Sequence, residues 1–451
     1  MIQLLFLLIT SAMANLHLAP PQFKIGNRNA IWTDFTNAEY HIVYNHEEYK
    51  AYVTTEITFS NIHVGFPLFD LISEPEEVWL DGMLVTQNLI NLPEGVSQVR
   101  IINKKIAPGI HKLTIKSPLE RGLLWTPRGV SSAFWIRDLL DRDFLERYIP
   151  TNLEYDQYKM TFNIQIIGTD NSHHLNANGE VTEIQKNHFI VEYPEFYTTT
   201  SVFFHLTPNS RFWRWELTYK SIDGREIPLT IYSKFKFFNR LLRNKAMKVL
   251  AELERDYGPW PHPKIIIYGT RLKGGMEYVG ATMTSLVSLG HELFHSYFAK
   301  GVMPANGNSG WMDEALASWR DNEYQRLSAP LFGPTNLANH SPFTRKTDKN
   351  SYKVGRSFMG YLDYKIHELG HDGLKVFLKE FFEKNIFKLV TTQDFLNELN
   401  SFTGSDFTAD FNYYVMGIEN QNVVVPYRPL NAREESEHHR AYTEQELQGL
   451  L

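Results

Sequence analysis

Leu289-Gly290-His291-Glu292-Leu293-Phe294-His295-Ser296, followed after 18 intervening residues past His295 by Glu314 in Trp311-Met312-Asp313-Glu314-Ala315-Leu316, is the stretch from which the architecture is read. His-Glu-x-x-His inside a helix puts two imidazoles at i and i+4. They share one face, with about 6 Å between their Cβ atoms, a spacing that suits two ligands of a tetrahedral zinc. Glu292 stands beside them, where a carboxylate can deprotonate a metal-bound water. The helical segment is read as 285–300, and Leu289, Leu293, Phe294 and Phe298 keep its metal face dry. A loop and a second helix over 310–327 can return Glu314 to the open side of the imidazoles, completing a set of two His, one Glu and water.

A second match, His367-Glu368-Leu369-Gly370-His371, has a glycine within it and Asp372-Gly373 after it, and the same spacing beyond it reaches only Val390. It is read as straddling a helix end, with His367 and His371 at the surface and no second zinc.

Outward from this stretch, the chain changes period. From 15 to 225 it mostly alternates. Val53, Thr55, Ile57 and Phe59 interleave with Thr54, Glu56 and Thr58; Met160, Phe162, Ile164 and Ile166 interleave with polar residues; and Trp213, Trp215, Leu217 and Tyr219 extend the pattern. These are half-buried strands of an antiparallel β-sandwich or saddle. Near 237 the period becomes helical, with Phe238, Leu241, Leu242, Val249, Leu250 and Leu253 on one face up to the stop at Tyr257-Gly258-Pro259. A short strand over 263–268, helices over 285–300, 310–327, 352–369, 374–387 and 392–399, and a Pro/Asn/Ser/Thr-rich loop over 330–350 complete the second half. The fold class is therefore α+β and multidomain: a β domain over 15–225, a mainly helical domain over 226–418, and a solvated tail over 419–451 that includes His438 and His439. Residues 1–14 read as a signal peptide, with an apolar core from Ile2 to Ile9 and Ala12-Met13-Ala14 as its cleavage site. That predicts export to a periplasm or the exterior, and the mature chain has no run long enough for a transmembrane helix.

Composition narrows the chemistry. The formal net charge of −6, with 51 acidic against 45 basic residues in no long run, excludes a nucleic-acid partner. With no cysteine, thiolate zinc sites, iron–sulfur clusters and cysteine nucleophiles are out, so a metal must sit on His, Asp and Glu. Nothing in the sequence sets an oligomeric state.

At this point the chain resembles the gluzincin aminopeptidases typified by aminopeptidase N, over roughly residues 30 to 418. Besides the zinc motif, Gly274-Gly275-Met276-Glu277-Tyr278 looks like the family's exopeptidase motif. Tyr257-Gly258-Pro259-Trp260-Pro261 is similar to the approach that precedes it. Tyr352-Lys353-Val354-Gly355 looks like the segment carrying the catalytic tyrosine, and Asn176-Ala177-Asn178-Gly179 resembles a turn of the N-terminal β domain. The resemblance implies a thermolysin-like catalytic domain with one zinc held by His291, His295 and Glu314, and Glu292 as general base. It further implies that Tyr352 stabilises the oxyanion and that Glu277 binds the α-ammonium of a peptide substrate, with Gly274, Gly275 and Met276 lining the substrate edge. The implied activity is removal of N-terminal residues. The alternatives are an endopeptidase with relaxed N-terminal selection and an inactive peptide-binding protein. Arg320 is read as a structural ion-pair residue. Tyr278 departs from the Asn of the motif, the Glu277–His291 and Glu314–Tyr352 spacings are short, and too little chain follows for the helical domain that caps larger members. These departures predict a more open cleft.

Overall fold

The alternating runs of the first half pair into sheets, and their buried sides are the ones the alternation selects. In the computed structural model, residues 16–209, 211–418 and 441–451 are described, so the signal-peptide residues and His438 and His439 lie outside the described residues. The chain divides into two units. One holds residues up to Arg211 with Ser341–Phe343 and Tyr442–Leu451; the other holds Phe212–His340 and Thr344–Ala441.

In the first unit an eight-stranded sheet runs in the order Glu180–Gln185, His188–Tyr193, Lys159–Ile167, Asp34–Asn45, Lys50–Asn61, Gly109–Pro118, Glu77–Leu80 and Met83–Val85. Val53, Thr55, Ile57 and Phe59 are buried, while Thr54, Glu56 and Thr58 are not. Smaller five- and four-stranded sheets complete the unit. The expectation of wholly antiparallel sheets is corrected at two places. Lys159–Ile167 lies parallel to Asp34–Asn45, and Ala30 and Ile31 lie parallel to Phe66 and Pro67. A long connection between partner strands lifts the antiparallel constraint that a hairpin imposes.

The end of the chain is also corrected, because Tyr442–Leu451 is not solvated tail. Helix Glu444–Leu450 begins with a Thr443/Glu446 capping box and buries Leu447 and Leu450. Glu444 accepts hydrogen bonds at 2.8 Å from both Arg137 and Arg147.

A buried carboxyl pair gives this unit a pH dependence. Asp156 Oδ2 accepts from Phe35 N at 3.0 Å and Asn152 Nδ2 at 2.5 Å, and its carboxyl shares a hydrogen bond with Asp34. Burial pushes Asp34 up to about 6, while burial and the Asp34 charge push Asp156 well above the carboxylate range. The folded state thus keeps protons that the unfolded chain releases near pH ~4. The stability this contributes is complete below pH ~4 and is lost as pH rises through about 6. Asp156→Asn should flatten that fall in thermal melts recorded across this range; parallel profiles for the two proteins would show that the pair does not titrate as described.

In the second unit the five-stranded sheet has the order Trp213–Lys220, Glu226–Ser233, Ile265–Gly269, Ala281–Thr284 and Gly275–Tyr278. The strand Trp213–Lys220, read with the first half, therefore belongs here. Alternation marks a strand but not its partner. An antiparallel ladder to Glu226–Ser233, itself parallel to Ile265–Gly269, holds it, and Glu254 fastens the turn end, its carboxylate accepting from the Tyr219 hydroxyl at 2.6 Å, Ile222 N at 3.1 Å and Trp260 N at 2.7 Å. Helix Lys236–Tyr257 connects two parallel strands, buries Leu242, Ala246, Val249, Leu250 and Leu253, and stops at Gly258, whose φ of 105° suits glycine.

Helices Trp311–Asp321, Val354–Glu368, Leu374–Asn385, Thr392–Thr403 and Thr408–Tyr414 complete the unit; the last has no counterpart in the sequence reading. The expected helix over 285–300 is shorter, Leu289–Phe294. Beyond it Lys300 N bonds His295 O at 2.9 Å and Ala299 adopts φ 134°, so the chain turns out of helical geometry immediately after the second histidine.

Candidate functional site

The short helix and its turn hold both histidines in register. His295 caps the helix C-terminus, with its N–H on His291 O at 3.3 Å, so the i, i+4 relation survives, and the imidazole centroids are 4.8 Å apart. Helix Trp311–Asp321 brings Glu314 against them, with Oε2 3.1 Å from His291 Nε2 and 3.5 Å from His295 Nε2. All three side chains are buried.

These distances fit a metal. Bonds of about 2.0–2.2 Å in tetrahedral geometry set ligand atoms roughly 3.3–3.5 Å apart. Each histidine also offers the correct nitrogen. His291 Nδ1 donates to Asp321 Oδ2 at 2.9 Å and His295 Nδ1 donates to Phe298 O at 3.2 Å, which leaves both Nε2 lone pairs facing Glu314 in the neutral rings. His295 Nε2 is buried without a hydrogen bond, an arrangement that costs about 1–3 kcal/mol unless a ligand satisfies it.

Electrostatics point the same way. Burial disfavours a charged His291, yet its hydrogen bonds to Asp321 and Glu314 raise it well above the usual imidazole range. Burial opposes the charge of Glu314, but His295 and His291 hold its carboxyl well below the usual carboxylate range. A field that favours protons on two imidazoles also favours a divalent cation between them.

Glu292 is buried on the same helix. Burial pushes it up to about 8 against the opposing pull of His291 and His295. Its place is set by Gly275, where a Cβ would lie 2.3 Å from Glu292 Oε1. The reading of Gly275 gains a second reason for glycine, because the space where a Cβ would stand is filled by the Glu292 carboxylate. Gly274, at φ 93°, makes the preceding turn. In strand Gly275–Tyr278, Met276 is buried on the side of Tyr278, whose hydroxyl reaches Met276 Sδ at 3.4 Å; Glu277 projects from the opposite side with Gly275. The Met276 side chain therefore does not share the face of Glu277. Tyr352 follows a single 3₁₀ turn, stacks with His291 at 6.2 Å and donates to Glu314 Oε1 at 2.6 Å.

Residues outside the motifs complete the site. Asp321, seven positions after Glu314 on one helix face, orients His291; that helical spacing was the legible signal for it. Arg320, read as structural, pairs with Glu252 at 2.8 Å and reaches Asp321 Oδ1 at 3.1 Å, so it steadies the carboxylate behind His291. Lys300 is buried with Nζ 3.4 Å from Glu277 Oε1, and the sequence carried no signal for that contact. His367 and His371 stay apart from this centre: His367 lies 2.6 Å from Arg326 and 2.7 Å from Asp363 O, and His371 lies 3.2 Å from Thr403 O.

Solved structures share this architecture. A mutant M1 zinc metallopeptidase from Deinococcus radiodurans bound to a Tyr-Ser-Ala substrate superposes with TM-score 0.57 at 14% identity, covering 88% of this chain and 96% of that one. The fold is that of the M1 zinc metallopeptidases. Yeast leukotriene A4 hydrolase with bestatin matches at TM-score 0.61 and 15% identity over 88% of this chain and 69% of its own. Aminopeptidase A from Legionella pneumophila with aspartic acid matches at TM-score 0.65 and 15% identity over 87% of this chain and half of its own. No family model matches the sequence, and no curated protein matches it. Within this M1-type fold the β-rich first unit and the helical second unit stand in the expected order, and among the described residues no helix is long and apolar enough to cross a membrane.

Proposed function

We propose that the protein is a zinc-dependent peptidase acting on peptide N-termini. The observation that carries the reading is the convergence of His291, His295 and Glu314 with Glu292 at one buried point. A zinc ion held by these three side chains would supply Lewis acidity and lower the pKa of an attacking water towards neutrality.

The remaining work falls to the chain itself. Glu292, buried beside the ligand set, is placed to take a proton from water and return it to the leaving amine. Tyr352 brings an O–H donor to the rim of the ligand set, where developing negative charge on a carbonyl oxygen can be met. Asp321 keeps the His291 tautomer fixed. Glu277, two strand positions from the tightly packed Gly275–Glu292 contact, presents a carboxylate to a peptide ammonium. The test is cleavage of free and N-acetylated peptides with and without a chelator. Loss of hydrolysis on chelation and its return with zinc support the reading; cleavage that ignores chelation removes it.

A second reading, relaxed selection of the N-terminus, is favoured by Lys300. Its ammonium already stands on Glu277, where a substrate ammonium would go. A second cation about 4 Å from Lys300 meets a repulsion of up to ~4 kcal/mol at an effective dielectric of 20. Lys300→Met should raise the preference for free over N-acetylated peptide, measured as the ratio of kcat/KM values, by about 10- to 100-fold. An unchanged or reduced ratio would show that Lys300 does not compete at this carboxylate.

A further inference from the structure

One end of the five-stranded sheet in the second unit carries a surface that the peptidase chemistry does not use. The register sets Trp213 opposite Ser233 and Ser233 beside Gly269, so Trp213, the segment Lys234-Phe235-Lys236-Phe237 and Arg271 gather there. Large apolar side chains are exposed within it: Trp213 at 54%, Phe235 at 48%, Phe237 at 69% and Leu241 at 36%. Phe237 and Leu241 lie four positions apart, on one face of helix Lys236–Tyr257. The charge is just as uneven. Residues 234–241, which carry Phe235, Phe237 and Leu241, hold three Lys and Arg and no Asp or Glu, in a chain whose formal net charge is −6.

We infer that this surface docks the protein on an anionic lipid membrane. Basic side chains interleaved with exposed aromatic and aliphatic tips are the two signals that interfacial binding combines, apolar insertion and attraction to acidic headgroups. A single-stranded nucleic acid needs free aromatic faces for stacking bases. Here Lys236 Nζ covers the Trp213 ring at 5.3 Å and the Arg271 guanidinium covers Phe235 at 5.1 Å. The groups left to project are Phe237 and Leu241, and Leu241 suits acyl chains, not bases. Gly269 pairs with Thr284, and Thr284 pairs with Gly275, so the same sheet end begins the strand that carries Glu277. Docking by this surface would bring the start of that strand to the membrane, where membrane-bound peptides are presented.

The experiment is co-sedimentation of the full chain with phosphatidylcholine vesicles, with and without phosphatidylserine, over a range of salt. The expected result is partitioning onto the phosphatidylserine vesicles that weakens with salt. Each basic residue at an anionic surface is worth about fivefold in partitioning, so Lys236→Glu with Arg240→Glu should lower it more than tenfold. Phe237→Ser with Leu241→Ser should lower the part that survives high salt. All four positions are exposed, and thermal melts of the variants verify folding. Equal partitioning onto both vesicle types, or partitioning unmoved by both double variants, overturns the inference. So does tighter binding to a single-stranded oligonucleotide than to vesicles, or a dimer in solution that Phe237→Ser with Leu241→Ser dissolves while vesicle binding is absent.

Discussion

Glu292→Gln is expected to lower kcat/KM by about 100- to 10,000-fold while the protein keeps its zinc. The substitution preserves shape, so the side chain still fills the space over Gly275, where any added Cβ would come within 2.3 Å of it. It removes only the ability to accept a proton. The proposed ligands lie on His291, His295 and Glu314, and the partners of the two histidines, Asp321 and Phe298 O, do not involve Glu292. Metal content by atomic absorption and turnover on a free peptide are therefore expected to separate. Turnover within tenfold of the parent would remove Glu292 from its role as base. A parent protein that binds zinc yet cleaves nothing would favour the inactive peptide-binding alternative.

His295→Ala is expected to abolish stable zinc binding and, with it, the thermal stabilisation that zinc confers. A ligand present at 100 times its dissociation constant stabilises the native state by about 2.7 kcal/mol. For a unit of this size that is a rise in Tm of roughly 5–10 °C. In the parent protein bound zinc would also satisfy His295 Nε2, which is otherwise buried without a hydrogen bond. The variant loses one of three ligands, so zinc addition should shift its Tm by less than about 2 °C. A full shift in the variant would place the metal elsewhere. The same melt run on Glu292→Gln should show the parent's shift, which distinguishes loss of the metal from loss of the base.

The two predictions draw on different kinds of information. The clustering of the proposed ligands and base was legible because helical geometry turns spacing into proximity: i and i+4 must share a face, and Glu314 falls at the start of a helix that can fold back. The second His-Glu-x-x-His was separable by the same reasoning, since Gly370 at φ 86° ends its helix and Glu368 is the last helical residue. Asp321 was within reach of that reasoning, because two turns of helix carry Glu314 to it.

Contacts between distant strands were not legible. Trp213, Trp215, Leu217 and Tyr219 announce a strand with a half-buried face, but period two is the same in any sheet, and this hairpin is drawn into the second unit by the parallel pairing of Glu226–Ser233 with Ile265–Gly269, a strand on the far side of a long helix. Tyr442–Leu451 looked like solvated tail because Glu444 is indistinguishable from a surface charge until Arg137 and Arg147 are placed around it. Gly275 looked like an approach for substrate; only packing shows that Glu292 fills the space beside it.

By itself, then, the sequence determined the order of a β-rich unit and a helical unit and the convergence of two histidines and one glutamate, because local period and i, i+4 spacing are properties of a single helix or strand. The tertiary structure decided which sheet each strand joined, the parallel pairings, the docking of the chain's end and the burial of Lys300 against Glu277. Those depend on which distant side chains meet once water is excluded, and no local pattern encodes that.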